Sequence, residues 1–341
     1  MITTLDNYNL TERNTFAMKV KCGVFMEYTK AEEIPFILSS IRKDVKRMHI
    51  GAGSNLLFTS DYPGVVLHSA IKGIKILSET SKEVIVRVGS GETMDDFIKW
   101  ACDRQLWGVE NLSGIPGEVG ASAVQNVGAY GTEACDVIVA VHAFDEVDRE
   151  FVTFSNEKCR YGYRDSIFKK PNFKGRYIIH AVDYALRPEV SPTLTYPALK
   201  TMFGDRDTAT LTPHDIREAV IATRASKLPD PAKVPSAGSF FKNPVVTEEH
   251  FERIRQQEEG IEVPHYKTAA GYKIPAAWMI DRCGWKGYEE GNVAVWHLQP
   301  LVIVNPYRKA SPDEVVNLEK KIIDSVRQRF GITLSPEVEH I

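Results

Sequence analysis

The chain has 341 residues, of which 43% are hydrophobic, so it is long enough for two or three domains with sizeable cores. Its 42 basic and 45 acidic side chains give a net charge of −3, which argues against nucleic-acid binding because no basic excess faces a phosphate backbone. No signal-peptide pattern and no run of 18 apolar residues occurs, so we expect a cytoplasmic protein that does not enter a membrane.

The five cysteines are odd in number, scattered and never arranged as CxxC, a pattern that predicts neither a disulfide framework nor a zinc site. The nine histidines contain no HExxH motif, and we expect no metal. The cysteines are Cys22, Cys102, Cys135, Cys159 and Cys283.

The first half of the chain alternates short β-branched runs with helical patterns, which predicts an α+β domain. The clearest helix is predicted over residues 93–105, where Thr93 and Asp96 resemble an N-terminal cap. The predicted strands cover residues 47–50, 65–67, 84–88, 136–144 and 177–186.

The second half begins with an irregular segment around residues 188–197, which contains three prolines and predicts a linker or surface loop. A helix is predicted to start at Thr212-Pro213 and to open a different domain. The last long helix is predicted from the capping box at Ser311 to Gly331. The acidic pairs Glu248-Glu249 and Glu258-Glu259 suggest a solvated helix face within residues 245–275, to which we assign no function.

Two glycine-rich segments follow predicted strands. In residues 50–57, IGAGSNLL, two glycines allow successive N–H groups to form a nest for a phosphate, although a plain tight turn fits the pattern equally well. Leu56 stands where a dinucleotide-binding Rossmann motif needs its third glycine, so that fold is disfavoured.

The second segment, residues 113–133, contains five glycines and few bulky side chains. This composition argues against a core helix and favours main chain that closely approaches a pyrophosphate or an isoalloxazine ring, with a long surface loop as the alternative.

Polar side chains also occur in apolar or glycine-rich surroundings. Ser239 follows Gly238 and precedes two phenylalanines, so it is either an exposed catalytic hydroxyl or a turn residue. No GxSxG elbow supports a serine hydrolase. Arg164 beside Asp165 is either functional or part of a structural ion pair.

Together and in this order, these segments resemble the UDP-N-acetylenolpyruvoylglucosamine reductases, the MurB family of flavoproteins. The resemblance spans nearly the whole chain. Its motifs are NTF at 14–16, IGAGSNLL at 50–57, SGIPGEVG at 113–120, QNVGAYGTE at 125–133, YRDSIFK at 163–169, KLPDP at 227–231, AGSFFKNP at 237–244, AAWMIDRCGWKG at 276–287 and PEV at 336–338. The stretch LTYPAL at 194–199 is similar to the substrate-covering loop of the longer subclass.

The resemblance implies an FAD-binding fold of the vanillyl-alcohol oxidase (PCMH) type over residues 15–188, in subdomains of about 15–75 and 76–188. It further implies a linker and covering loop at 189–209, a smaller α+β substrate-binding domain at 210–330, and a C-terminal tail at 331–341 that returns to the active site. A monomer is expected.

The resemblance also assigns roles to individual residues. Arg164, Ser239 and Glu337 match the catalytic positions. Tyr163, Tyr196, Lys227, Asn243 and Gln299 match positions that contact substrate or nicotinamide nucleotide. The residues expected to bind FAD are Gly51, Gly53, Ser54, Asn55, Ser113, Gly114, Ile115, Gly117, Gly120, Gln125, Asn126, Gly128, Ala129, Tyr130 and Gly131.

The implied reaction is the NADPH-dependent reduction of UDP-N-acetylglucosamine enolpyruvate to UDP-N-acetylmuramate, a step of peptidoglycan precursor synthesis, with tightly but non-covalently bound FAD as hydride carrier. Arg164 and a Glu337 kept neutral by burial would stabilise charge on the substrate carboxylate, and Ser239 would protonate C2. Two alternatives are a flavin oxidase of the same fold and a non-catalytic flavin or sugar-nucleotide binding module.

Overall fold

The structure, a computed structural model, describes residues 2–341, which fall into two units. The larger unit contains Lys21–Ala52, Tyr62–Arg224 and the N-terminal residues through Tyr8. The smaller unit contains Asn9–Val20, Gly53–Asp61 and Ala225–Ile341.

The strands are β1 (Thr3–Asn9), β2 (Lys21–Tyr28), β3 (Arg47–Ile50), β4 (Leu56–Leu57), β5 (Tyr62–Ser69), β6 (Ile74–Glu79), β7 (Val84–Gly89), β8 (Gly128–Ala129), β9 (Thr132–Glu133), β10 (Ile138–Asp145), β11 (Glu150–Ser155), β12 (Tyr177–Leu186), β13 (Ser236–Ser239), β14 (Val245–Val246), β15 (Tyr266–Thr268), β16 (Gly271–Lys273), β17 (Glu289–Glu290), β18 (Val293–Val295), β19 (Val302–Val304) and β20 (Glu339–His340). The α-helices are α1 (Ile34–Ser40), α2 (Met94–Cys102), α3 (Val119–Gln125), α4 (Asn156–Cys159), α5 (Pro197–Phe203), α6 (Pro213–Ala225), α7 (Glu248–Gln257), α8 (Ala276–Arg282) and α9 (Pro312–Phe330).

The larger unit contains a four-stranded sheet in the order β1-β2-β5-β3, in which β2 and β3 both pair with β5 in parallel. Residues 64–69 of β5 are all buried, as expected for a central parallel strand covered on both faces. Ile34 and Ile37 of α1 belong to the same apolar cluster as Val65 and Leu67. Parallel pairing with β5 positions β3, which leads directly into the first glycine segment.

A second sheet of the larger unit is antiparallel, in the order β11-β10-β12-β7-β6. The structure confirms the strand predicted at 177–186, whereas the one predicted from residue 136 begins at Ile138 because Ala134–Asp136 form a 3-10 turn. The cap predicted for α2 is also confirmed, since Thr93 Oγ1 accepts the Asp96 N–H at 3.2 Å.

Helix α6 packs with the larger unit, whose last residue is Arg224. Ile216 and Val220 are buried in a cluster with Trp107, Leu199 and Phe203. The sequence pattern predicts that a new domain begins at this helix. The apolar face of α6 is nevertheless covered by residues of the larger unit. The domain bounds given in the sequence analysis stay a prediction.

The smaller unit contains the sheet β13-β19-β18-β17 and the sheet β14-β16-β15. The capping box predicted for α9 is confirmed: Ser311 Oγ accepts the Glu314 N–H at 3.3 Å, and Glu314 Oε2 accepts the Ser311 N–H at 2.8 Å. Gly331 ends the helix with φ of +67°, in the left-handed region that glycine adopts readily.

The interpretation of residues 245–275 as a solvated face is wrong for Glu258. This side chain is 2% exposed, and it accepts hydrogen bonds from Arg282 at 3.0 Å and Arg329 at 2.7 Å. Two guanidinium groups therefore compensate a buried carboxylate, an arrangement that depends on the packing of α7, α8 and α9. The sequence pattern of α7 alone does not contain this information.

All five cysteines are unpaired thiols, and Cys22, Cys102 and Cys159 are buried. Within residues 2–341, no helix combines the length and apolar character needed to span a membrane.

Candidate flavin and substrate sites

The larger unit brings the end of β3 and the start of α3 close together. A Cβ atom added to Gly51 would lie 3.2 Å from Ala121 Cβ and 3.2 Å from Glu118 Oε2. Among the described residues, no protein acceptor takes a hydrogen bond from the N–H groups of Gly51, Ala52, Gly117, Glu118 or Ala121. The two segments therefore form a main-chain cradle whose free donors suit an anionic ligand.

The expectation that residues 113–133 cannot form a core helix is wrong in part, because α3 lies within this segment. Val119 and Ala123 are fully buried in the core of the larger unit. Gly120 is required here since an added Cβ would lie 2.9 Å from Ser90 Cβ. A helix of small residues thus packs closely against the end of β7, which the glycine content by itself did not indicate.

Several side chains predicted to contact cofactor are bonded within the protein. Ser113 Oγ donates to the Glu110 carbonyl at 2.6 Å, and Gln125 Oε1 accepts from Lys169 Nζ at 2.6 Å. The buried Asn126 amide donates to Glu133 Oε2 at 2.9 Å and to the Gly162 carbonyl at 3.0 Å. These residues shape the segment, so a ligand would contact their main chain rather than these side-chain atoms.

Arg164 lies at the tip of a tight hairpin. Gly162 and Asp165 exchange two main-chain hydrogen bonds of 3.0 Å, which leaves Tyr163 and Arg164 at the turn. Arg164 has φ of +53°, an uncommon conformation for a residue with a side chain and one that recurs at functional sites. Its Nη2 donates to the Gly128 carbonyl at 2.5 Å. The structure therefore brings Arg164 to the second glycine segment.

The alternative of a structural pair between Arg164 and Asp165 is not the main arrangement. Asp165 forms an ion pair with Lys170. The Arg164 guanidinium faces the carbonyls of Gly128 and Asn126 and lies 5.2 Å from the centre of the Tyr163 ring.

An aromatic pair joins the glycine segment to the predicted covering loop. The rings of Tyr130 and Tyr196 meet edge to face, with centroids 4.8 Å apart. Burial raises the pKa of Tyr130, which keeps its phenol neutral. Arg224 Nε donates to the Gly114 carbonyl at 3.1 Å, and burial lowers the pKa of this guanidinium.

The remaining predicted cofactor residues of the larger unit lie in the same stretch of chain. Gly128 and Ala129 form the hairpin strand β8, which pairs with β9. Gly131 is exposed, with φ of +87°. Ile115 is partly buried against the core.

In the smaller unit, a β-bulge presents Ser239. Strand β13 pairs with β19 so that Ser236 opposes Val304 and Ser239 opposes Val302, with a register shift between the two pairs. Gly238 has φ of +73°. A bulge of this kind redirects a side chain at the end of a strand. Ser239 is consequently exposed, while the next residue, Phe240, is fully buried and anchors it.

Glu337 is held beside this strand by its main chain. Its N–H donates to the Phe240 carbonyl at 2.8 Å, and its carbonyl accepts from Asn55 Nδ2 at 3.1 Å. The tail continues as β20, which pairs in parallel with β4. Since Phe240 directly follows Ser239, two of the three predicted catalytic residues lie on neighbouring segments of one unit. The Glu337 side chain is partly rather than fully buried.

The residues at the C-terminal side of the first glycine motif also belong to the smaller unit. Gly53 is buried with φ of +65°, and an added Cβ would lie 2.1 Å from the Arg13 carbonyl oxygen. No protein acceptor within residues 2–341 receives the N–H of Gly53, Ser54 or Asn55. Asn55 therefore combines a main-chain donor suited to a phosphate with a side chain that holds the tail.

Three predicted substrate residues lie on loops of the smaller unit. Lys227 is exposed, and its carbonyl accepts from Trp296 Nε1 at 3.0 Å. Asn243 Oδ1 accepts the Ala276 N–H at the start of α8, at 2.9 Å. Gln299 is partly exposed in the turn before β19, where its Oε1 accepts the Leu301 N–H at 3.3 Å.

The contacts of Lys169 were not predicted from the sequence. Its Nζ donates to the Arg164 carbonyl at 2.9 Å and to Gln125 Oε1 at 2.6 Å, linking the hairpin to α3. The available signal was its position as the last residue of the motif YRDSIFK. The contacts of His68 were not predicted either, because its two carboxylate partners, Glu27 and Glu118, are far from it in sequence.

Two family models match the chain. Residues 24–154 match an FAD-binding domain, and residues 230–341 match the C-terminal domain of UDP-N-acetylenolpyruvoylglucosamine reductase. A reductase of this name from Porphyromonas gingivalis is 46% identical over 338 residues, with 98% of each chain covered. One from Bacteroides fragilis is 44% identical over 335 residues, covering 98% of this chain and 99% of the relative.

The chain belongs to the MurB family. The crystal structure of a MurB reductase from Thermus caldophilus has the same fold, with a TM-score of 0.67 at 21% identity, and the alignment covers 100% of this chain and 98% of that one. These findings confirm the predicted α+β fold with an FAD-binding domain. The cradle at Gly51 and Glu118 fits FAD, because its main-chain donors suit a pyrophosphate. Gly51 has no Cβ, so a ligand can approach the main chain closely.

Proposed function

We propose that this protein reduces UDP-N-acetylglucosamine enolpyruvate to UDP-N-acetylmuramate with NADPH as the hydride donor, in peptidoglycan precursor synthesis. The observation that carries the proposal is that the main chain of the strand presenting the exposed Ser239 is bonded to the main chain of Glu337 in the smaller unit. Ser239 projects from a bulge, and the Phe240 carbonyl that follows it accepts the Glu337 N–H at 2.8 Å. Bound FAD would supply the transfer of a hydride from NADPH to C3 of the enolpyruvyl group.

Arg164 is proposed to neutralise negative charge that develops on the substrate carboxylate. A guanidinium stays charged at all working pH values and offers donors in a rigid fork. Its anchoring to the Gly128 carbonyl supports this role because the group is oriented before substrate arrives. Lys169 would act as a positioning residue for the same hairpin.

Ser239 is proposed to donate the proton that C2 receives. A hydroxyl is a weak acid, but a carbanion or enol centre is basic enough to take its proton. The exposure of Ser239 at the end of β13 supports access to substrate. Glu337, in its protonated form, would donate a hydrogen bond to the carboxylate oxygens on which charge accumulates.

Tyr163, Tyr196, Lys227, Asn243 and Gln299 are proposed to contact substrate or NADPH. Tyr163 is exposed beside the Arg164 guanidinium, which supports a contact near the reacting group. Lys227 offers an exposed ammonium that suits a diphosphate.

An anaerobic titration of the purified holoenzyme tests the proposal. Addition of NADPH should bleach the flavin absorbance, and subsequent UDP-N-acetylglucosamine enolpyruvate should restore it with formation of UDP-N-acetylmuramate. A flavin that is bleached but recovers only with oxygen would indicate an oxidase, and a flavin that NADPH does not bleach would indicate a binding module. Either result would refute the proposal.

A further inference from the structure

A charged trio of His68, Glu27 and Glu118 lies within the larger unit. His68 Nδ1 is 2.8 Å from Glu27 Oε2, and His68 Nε2 is 2.9 Å from Glu118 Oε1. The His68 side chain is 7% exposed. Glu27 and His68 are direct partners in the parallel pairing of β2 with β5. The trio is therefore held by sheet register as well as by its own hydrogen bonds.

The hydrogen bonds indicate the charge of the trio. Ionised carboxylates only accept, so a histidine that bonds one carboxylate through each ring nitrogen needs a hydrogen on both nitrogens. The hydrogen-bond geometry therefore suits an imidazolium at His68, and two ionised carboxylates with one imidazolium carry a net charge of −1. The nearby His49 does not add a second positive charge, because burial first and the proximity of His68 second lower its pKa to about 3; its Nε2 lies 2.6 Å from the Tyr28 hydroxyl.

The same Glu118 borders the cradle proposed for the FAD pyrophosphate. Its Oε2 lies 3.2 Å from the position of a Cβ on Gly51, and its own N–H is one of the cradle's donors. An uncompensated carboxylate that borders the cradle would repel a pyrophosphate bound there. The carboxylate is nevertheless half of a hydrogen-bonded pair with an imidazolium.

We propose that His68 is the counter-charge that allows the FAD pyrophosphate to bind beside Glu118. The inference rests on the proposed position of the pyrophosphate at Gly51 and is independent of the reduction chemistry. His68 acts through Glu118, so it is a positioning and charge-compensating residue rather than a catalytic one.

Binding of FAD to the apoprotein, measured by flavin fluorescence at low salt, tests the proposal. In His68→Gln, the side chains at positions 27, 68 and 118 carry a net charge of −2. We therefore expect the dissociation constant of this variant for FAD to rise on the order of tenfold. Glu118→Gln should bind FAD at least as tightly as the wild type. The double variant His68→Gln/Glu118→Gln restores the net charge of −1 and should recover most of the lost affinity.

Riboflavin, which lacks phosphates, separates charge from folding damage. His68→Gln should weaken riboflavin binding far less than FAD binding, and about 0.5 M salt should reduce the difference for FAD. The proposal is overturned if the single variant weakens both ligands equally, if the double variant binds FAD no better than His68→Gln, or if Glu118→Gln itself loses FAD. Each of these results is independent of whether the holoenzyme reduces the enolpyruvyl sugar.

Discussion

The two units present their candidate functional groups in different ways. In the larger unit, the groups at the Gly51 cradle are main-chain N–H donors, and nearby polar side chains such as Asn126 are bonded within the protein. In the smaller unit, a hydroxyl and a carboxyl project from a bulge and a tail whose main chains are bonded to each other. Direct contacts to the cofactor at this cradle should therefore depend on where Cβ atoms are absent, and the chemistry of the smaller unit on which side chains are present.

Removal of the Ser239 hydroxyl gives the largest expected effect. In Ser239→Ala, we expect flavin reduction by NADPH to proceed at nearly the wild-type rate and reoxidation by the enolpyruvyl sugar to slow about 10²- to 10⁴-fold, because only the second step needs the proton. Stopped-flow absorbance of the flavin measures both steps. Ser335→Ala, which removes another exposed hydroxyl of the smaller unit, is the control and should leave both rates unchanged. Equal slowing of both steps in Ser239→Ala would contradict the role.

Addition of a single methyl group tests the main-chain cradle of the larger unit. In Gly51→Ala, the new Cβ would lie 3.2 Å from both Ala121 Cβ and Glu118 Oε2, so we expect FAD affinity to fall on the order of tenfold. Titration of the apoprotein with FAD measures the change. Gly162→Ala is a matched control, since its Cβ would meet its nearest neighbour at an ordinary 3.8 Å. A Gly51→Ala variant with unchanged FAD affinity would show that the cradle is not the cofactor site.

The antiparallel sheet of the larger unit should show an acid-dependent loss of stability. Burial raises the pKa of Asp183, but hydrogen bonds from Arg87 at 2.7 Å and His142 at 2.8 Å outweigh it and lower the value to about 2. Since the folded pKa lies below the unfolded value of about 3.9, the ionised group stabilises the fold above about pH 4 and loses this contribution as pH falls toward 2.

Asp183→Asn should therefore lower the free energy of unfolding by about 1 to 2 kcal/mol at pH 7, with a difference from wild type that shrinks below pH 4. Urea unfolding at pH 7, 5 and 3 measures it. Asp324→Asn, which alters an exposed pair with Arg327, is expected to change stability by less than about 0.5 kcal/mol at every pH. A difference for Asp183→Asn that grows on acidification would have the wrong sign for this account.

The smallest effects concern one helix cap in each unit. Thr93→Ala and Ser311→Ala each remove a side-chain acceptor from a helix N-terminus, and each should lower the free energy of unfolding by about 1 kcal/mol. Thr93→Ser and Ser311→Thr keep the acceptor oxygen and should retain most of the stability. A loss in the conservative variants as large as in the alanine variants would mean that the capping bonds are not the cause.

The sequence predicted elements well where the signal is local. The strand at 177–186 and both ends of α9 follow from β-branched residues, a capping box and a terminal glycine. The prediction failed where residues distant in sequence determine whether a segment is helical or a side chain is buried. Helix α3 is stable despite its small residues because Val119 and Ala123 enter a core built by other elements, and Glu258 is buried only because Arg282 and Arg329 reach it.

The candidate site divides in the same way. Motif order along the chain was sufficient to predict the family and the roles proposed for Arg164, Ser239 and Glu337. Their local supports, such as the Lys169 bond to the Arg164 carbonyl and the Asn55 bond to the Glu337 carbonyl, appear only in the structure. Side-chain identity alone does not reveal whether an Asn or Gln amide bonds to a ligand or to other residues of the protein.

By itself, the sequence determined the types of chemical group available and the local conformations of the segments that carry them, because glycine, proline and capping residues act through their immediate neighbours. Tertiary structure alone decided that His68 lies between two carboxylates, one of which borders Gly51. The physical reason is that the register of β2 on β5 and the packing of α3 bring together the side chains of Glu27, His68 and Glu118. No local pattern encodes that proximity.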